Sequence, residues 1–419
     1  MLAKALKAFL VVLLFQLPGP PAAAAETDPF LTIDEELQAV ADARAEAVNS
    51  RDRAAFLRSV DTSSPEYRSR QADWFDSLTS TPVVDYSLTV DFDLYGSHAR
   101  ARDRERYGAP VIVTSVEQRF GFEGYQEEPA VSELMVTFVK REAGWVFASD
   151  SDLDDLGFFS ERYPWDFGPV QVSTSARFIM LSHPSQADFA AELLPLAEAA
   201  MPQVDAIWLK PWAKKIPIIV PSNSDELAKI LATTIDVSNF VAFAVTGIDN
   251  EEDWEATPRF TIINRERFGR YSPELKQSIF AHELLHIATA EYSGPFTSVW
   301  IEEGFGRLAE TPRPGDAQFF QRRVQAGRFD DRVPDDLEFI SGSPTDIFAA
   351  YQESQSAIAY LQKRFGTEKL NDFYVRLGQA RNEIGTMRFH LDQAMKEVLV
   401  ISFEDFQRDW VQAAKTGGA

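Results

Sequence analysis

The chain has no cysteine among its 419 residues. That excludes disulfides and any thiolate-based metal or redox site. The fold must hold on packing alone, and any metal must take nitrogen and oxygen ligands. Histidine is scarce, at five residues. Basic residues are outnumbered by acidic ones, 41 to 64, for a net charge of −23, which argues against nucleic acid and anionic lipid as partners. Repeats and low-complexity tracts are lacking. The long apolar run at 8–17 is too short to span a bilayer comfortably.

What is present begins with a targeting pattern. Lys4 and Lys7 open the run, Pro18-Gly19-Pro20-Pro21 breaks it, and Ala23-Ala24-Ala25 offers a small-residue cleavage site before Glu26. Residues 1–25 read as a signal peptide, with an uncleaved anchor as the alternative. The mature chain is expected to be secreted, extracellular or periplasmic, without a membrane span. Its length suits two domains. A boundary is expected within 155–168, where the acidic turn region 150–155 gives way to Tyr163-Pro164-Trp165 and Gly168-Pro169.

The expected domains are 30–155 and 165–416. In the first, helical spacing over 33–50, 52–60 and 65–78 precedes strand-like stretches at 83–95, 111–122, 131–140 and 145–149. Ala143-Gly144 joins the last two as a hairpin. Trp74, Tyr86 and Phe122 read as core aromatics that could also line a pocket. In the second, strands are expected at 216–220, 240–246 and 259–264, with a helix at 224–233.

The chemistry-bearing pattern is His282-Glu283-Leu284-Leu285-His286, followed by Trp300-Ile301-Glu302-Glu303-Gly304-Phe305. Ser272 as N-cap, Pro273 at the first position and Glu274 in the first turn announce a helix. Leu275, Ile279, Phe280, Leu284 and Ile287 carry its apolar spacing, and Gly294-Pro295 stops it. A second helix is expected from Thr297 or Ser298 to about Glu310, before Pro312. Positions i and i+4 share a helix face, so His282 and His286 can each point a ring nitrogen at one metal ion. Glu283 lies about 100° round the helix, where it can overhang the metal as a general base without ligating it. A catalytic zinc takes three protein ligands and keeps one position open. Glu303 is the expected third ligand, with the adjacent Glu302 as the alternative.

These two motifs together resemble the gluzincin metallopeptidases, and more narrowly the bacterial peptidase-MA-like domains related to the thermolysin and aminopeptidase branches. Weaker matches follow in order: Tyr351-Gln352-Glu353-Ser354 before Ala359-Tyr360-Leu361, then Ser402-Phe403-Glu404-Asp405-Phe406 with Trp410. The resemblance spans about residues 165–415. It implies a Zn2+ cofactor held by His282, His286 and Glu303, the last because it directly precedes Gly304-Phe305. It implies Glu283 as the base and Glu310 as the acid that orients a ligating His through its other ring N–H. It implies a Tyr351 hydroxyl donating to the oxyanion. It also makes 240–246 a sheet-edge strand pairing with substrate backbone through Phe240, Val241, Ala242, Phe243 and Ala244. The acid that aminopeptidases keep on that strand is missing here. The first domain resembles the nuclear-transport-factor-2-like (SnoaL-like) cone, with Gly144-Trp145-Val146-Phe147 as a typical ending.

The expected fold class is therefore α+β: an NTF2-like cone of helices and curved antiparallel sheet, then a thermolysin-like gluzincin catalytic domain with a mixed sheet and a helical C-terminal half. The implied function is a secreted zinc metallopeptidase that hydrolyses peptide bonds of a peptide or protein substrate by metal-activated water. Two other readings stand beside it. One is a zinc-binding, non-catalytic secreted protein whose first domain binds a ligand or partner. The other is a hydrolase of non-peptide esters or amides.

Overall fold

The structure is a computed structural model that describes residues 29–417, apart from 93–99, 126–128, 234–236, 238–239, 251–254 and 381–384. The expected signal segment at 1–25 lies outside the described residues. The architecture is mixed α/β. It divides into two compact units: one of 1–172, 181–185 and 221–237, the other of 173–180, 186–220 and 238–419.

The first unit opens with helices α1 (Pro29–Asn49), α2 (Arg53–Arg58) and α3 (Pro65–Thr79). Local chemistry sets their starts. The Asp52 carboxylate accepts from Ala55 N–H, and the Ser64 hydroxyl accepts from Tyr67 N–H ahead of Pro65. A four-stranded antiparallel meander follows, β1 (Val83–Val90), β2 (Val111–Phe122), β3 (Ala130–Arg141) and β4 (Gly144–Ser149), paired in that order. Register shifts between Val84 and Ser87, and between Thr137 and Phe138, are bulges that bend the strands and curl the sheet. A short helix, α4 (Ala101–Tyr107), interrupts the meander between β1 and β2. Trp74, Tyr86 and Phe122 are all buried. Trp74 stacks on Phe56 at 5.5 Å and meets Tyr86 edge-on at 6.2 Å.

The second sheet has five strands in the order β5 (Gln171–Thr174), β6 (Phe178–Ser182), β7 (Ile216–Val220), β9 (Glu255–Ile263), β8 (Ala242–Asn250). It is mixed: β7 runs parallel to β9 and β8 antiparallel to it. Every residue of β6 and β7 is buried, which is why Phe178-Ile179-Met180-Leu181 and Ile216-Pro217-Ile218-Ile219-Val220 are unbroken apolar runs rather than alternating ones. Strand β8 lies outermost. Helix α5 (Ala187–Ile207) connects β6 to β7, and α6 (Ser224–Ile230) and α7 (Arg265–Phe268) flank β8 and β9 in the chain. The remainder is helical: α8 (Pro273–Thr289), α9 (Val299–Ala309), α10 (Pro314–Gln325), α11 (Pro344–Phe365), α12 (Thr367–Gly378), α13 (Met387–Ala394) and α14 (Phe403–Thr416). Helix α8 packs between α5 and α9, and α9 against α11. Among the described residues, no helix is long and apolar enough to cross a membrane.

One buried histidine in the first unit is a structural strut. His183 Nδ1 lies 2.9 Å from the Pro169 carbonyl oxygen, and Nε2 lies 2.8 Å from the Glu226 carboxylate. A ring carrying both protons would donate to both partners. The Glu226 hydrogen bond raises its pKa, against the effect of burial. A raised folded-state pKa stabilises fully below the unfolded value of about 6.5 and is lost as pH rises through the folded value. The stability advantage of the natural protein over His183→Asn should therefore shrink as pH rises above neutrality. Denaturant titrations of both proteins across pH 5–9 check this, and a constant gap would refute it.

Candidate metal centre

Helix α8 places the two histidines. Ser272 caps it by accepting from Leu275 N–H, and Pro273 fills the first position. The helix is buried on nearly every side from Phe280 to Thr289, so it is a central helix rather than an amphipathic surface one. Helix α9 starts after Ser298 and ends at Glu310, its C-cap residue.

Three donor atoms converge between these helices. His282 Nε2 lies 3.0 Å from Glu303 Oε2 and 3.1 Å from His286 Nε2, and His286 Nε2 lies 3.5 Å from Glu303 Oε2. Two ring nitrogens facing one another repel unless a proton or a cation lies between them. A tetrahedral ion with bonds of 2.0–2.1 Å separates its ligand atoms by about 3.3 Å, so the triangle has the size such an ion needs. Among the described residues, His282, His286 and Glu303 form the group able to hold a metal ion. Glu302 is not part of it. It is buried, and its charge acts on the Tyr374 phenol, which burial already pushes up.

Glu310 completes the geometry. Its Oε1 lies 2.9 Å from His282 Nδ1. In the neutral ring with Nδ1–H donating there, the Nε2 lone pair faces the other two donors. Glu310 is itself gripped by Arg307, at 2.7 and 2.6 Å to its two oxygens, and Arg307 reaches on to Asp316 at 2.6 Å. Burial opposes a charge on His282, but Glu303 and Glu310 outweigh it and push its pKa up to about 10. Glu303 is held well below the usual carboxylate range. Burial works against this, but the two histidines overcome it.

Glu283 sits one position along from His282 and is 8% exposed. Burial raises its pKa, while the His282 and His286 charges and the Ala244 backbone N–H pull the other way. That N–H brings the carboxylate against β8, the outermost strand. Ala242, Phe243 and Ala244 lie on β8. Phe240 and Val241 precede it, and their carbonyls are bound by the Asn264 side chain and backbone N–H, both at 2.9 Å. Tyr351, on α11, has its ring 6.4 Å from that of His282 and edge-on to Phe339 at 5.3 Å. Burial first, then the Glu303 and Glu283 charges, raise its pKa. Tyr351 thus lies close enough to the centre for these charges to act on its phenol.

Two glycines make this arrangement possible: Gly304, read from sequence only as the marker that follows Glu303, and Gly306, which sequence reasoning did not single out. A Cβ on Gly304 would lie 2.4 Å from Ile358 Cγ1 and 2.8 Å from the Ser354 carbonyl oxygen, so α9 and α11 touch backbone to side chain there. A Cβ on Gly306 would lie 2.8 Å from two atoms of the His282 ring. The alternation Glu303-Gly304-Phe305-Gly306 was the available signal. Arg307 was missed too, although it stands at i,i+3 from Glu310. Because His282 is clamped by Glu303 and Glu310, it cannot yield to an added methyl. Gly306→Ala should weaken metal affinity by about 10–100-fold, as loss of an orienting contact does. Competition against a chelator of known affinity checks this, and wild-type affinity would show that the ring is free to move.

Compared with known proteins, the chain matches no family model and no curated sequence.

Proposed function

We propose that the chain is an exported zinc metallopeptidase of the gluzincin type, in which a peptidase-MA-like catalytic domain follows an NTF2-like cone. The observation that carries this reading is the convergence of two imidazoles and one carboxylate, with a fourth acid, Glu283, beside them but outside the ligand triangle. A purely structural site has no use for a carboxylate in that place. The N2O donor set without thiolate suits Zn2+.

When bound, zinc supplies a Lewis acid that polarises a carbonyl and makes water more acidic. The chain's own residues do the rest. Glu283, its pKa raised by burial, accepts a proton from water and returns it to the leaving amine. Glu310 and Arg307 hold His282 in one tautomer and orientation. The outer edge of β8 offers backbone groups to an extended peptide. The Tyr351 hydroxyl donates to the oxygen on which charge develops.

A peptide-library cleavage assay tests the proposal. Cleavage should vanish in chelator and return with added zinc. Cleavage that persists in chelator sinks it. Tyr351→Phe should lower kcat on the order of 10²–10³, the usual cost of one such donor, with KM, zinc content and melting temperature near the natural values. A fall of less than about threefold per zinc-loaded molecule would remove Tyr351 from this role.

A further inference from the structure

The contacts behind His282 do not end at Glu310. Arg307, which grips that acid, is 5% exposed. Its Nη1 donates to both Glu310 oxygens, and its Nη2 donates to Asp316 Oδ2 at 2.6 Å. Its Nε–H meets no acceptor among the described residues. Glu310 and Asp316 are thus the two acids that balance this buried cation. A second arginine faces the same pair. Arg313 donates from Nε to Asp316 Oδ2 at 3.1 Å, and its Nη2 lies 3.6 Å from Glu310 Oε2. One oxygen of Asp316 therefore serves both arginines.

Asp316 stands in the first turn of α10. An acid there complements the helix dipole and needs no partner. Here it has two, and its side chain is only 15% exposed. It is not one of the three metal donors. The two acids and two arginines form a set of zero net charge, with His282 at one end and α10 at the other.

The balance bears on what Glu310 can give to His282. While Asp316 is ionised, each arginine has an acid to itself, and Glu310 Oε1 can hold the Nδ1 proton of His282 at 2.9 Å. Without that charge, Glu310 would answer two arginines alone. Its pull on the Nδ1 proton would weaken, and the ring would be a poorer ligand at Nε2. An unbalanced cation would also be left near the place of another, in an interior that screens their repulsion poorly. We propose that Asp316 is a positioning residue of the metal centre, which through Arg307 and Glu310 sets how tightly His282 holds zinc. The inference rests on the reading of His282, His286 and Glu303 as the ligands.

Competition for Zn2+ between the full chain and a chelator of known affinity tests it, beside thermal melts of the metal-free proteins. Asp316→Asn should weaken zinc binding about tenfold, the lower end of what loss of an orienting partner costs. An acid that served α10 alone would lower the melting temperature of the metal-free protein and leave zinc affinity as it was. Because Asp316 acts through Arg307, the losses should not add: Arg307→Gln with Asp316→Asn should bind zinc as Arg307→Gln does alone. Should Arg307→Gln fail to fold, the single Asp316 variant carries the test. A change of less than about threefold in Asp316→Asn, or additive losses in the double variant, would overturn the proposal and leave the peptidase reading standing. Failure of the natural protein to take up zinc would overturn both.

Discussion

Glu283→Gln should keep a full complement of zinc and lose hydrolysis. The substitution is close to isosteric, and the amide oxygen can still accept from the Ala244 N–H that now holds the carboxylate. Glu283 lies outside the triangle of His282, His286 and Glu303, so metal affinity has little reason to change. What the amide cannot do is take a proton from water. General-base catalysis contributes about 10²–10⁴-fold, or roughly 3–5 kcal/mol of barrier. The variant's kcat should fall by that factor, with folding and zinc content intact. Metal analysis and peptide cleavage on one preparation decide the matter. Near-normal turnover in a zinc-loaded variant would end the assignment of Glu283 as the base. Loss of zinc would instead place its carboxylate among the ligands.

The second large effect concerns the metal itself. His282→Ala combined with His286→Ala removes two of three donor atoms and should reduce zinc content from about one per chain to none. The same variant also separates metal binding from fold stability. Ligand bound only to the folded state stabilises it by about 4 kcal/mol at a thousandfold excess over Kd, so zinc should raise the melting temperature of the natural protein and leave that of the double variant unchanged. Without zinc, the variant should still be the less stable of the two. Glu303 is a buried carboxylate held ionised by those histidines, and breaking a buried pair by removing one side costs about 3–5 kcal/mol. Retained zinc in the double variant would refute the ligand set.

Much of the centre was legible because its signals are local. Ser272-Pro273 and Ser298 mark where α8 and α9 begin, and the i, i+4 spacing of His282 and His286 places both on one face. The choice between Glu302 and Glu303 was not decidable from spacing, since neighbouring positions both fall in the first turns of α9. Only the approach of α9 to α8 separates them. Helix α4 escaped notice because Arg102, Asp103, Arg104, Glu105 and Arg106 leave it no apolar period. It is held instead by Asp103 accepting from the Arg100 backbone and by Gly108 in a left-handed turn. Strand β8 starts at Ala242 rather than 240, and Asn264, just after β9, takes the carbonyls of Phe240 and Val241. That contact joins residues more than twenty apart in the chain and has no local trace. The Arg307–Asp316 link behind Glu310 is hidden for a similar reason: its two ends belong to different helices.

The contact at Gly304 bears on how this centre can change. With no room for a Cβ between α9 and α11, the helix that carries Glu303 and the helix that carries Tyr351 are set against each other like two faces of a joint with no shim. Neither can be shifted alone. A lineage drifting at 304 must both shrink Ile358 and move the α11 backbone at Ser354, and a designer who wants to part the two helices must move both together or neither. On the proposed peptidase reading, variation in the substrate taken should accumulate along the β8 edge and the turn around Phe339, while the interval from 303 to 306 stays still.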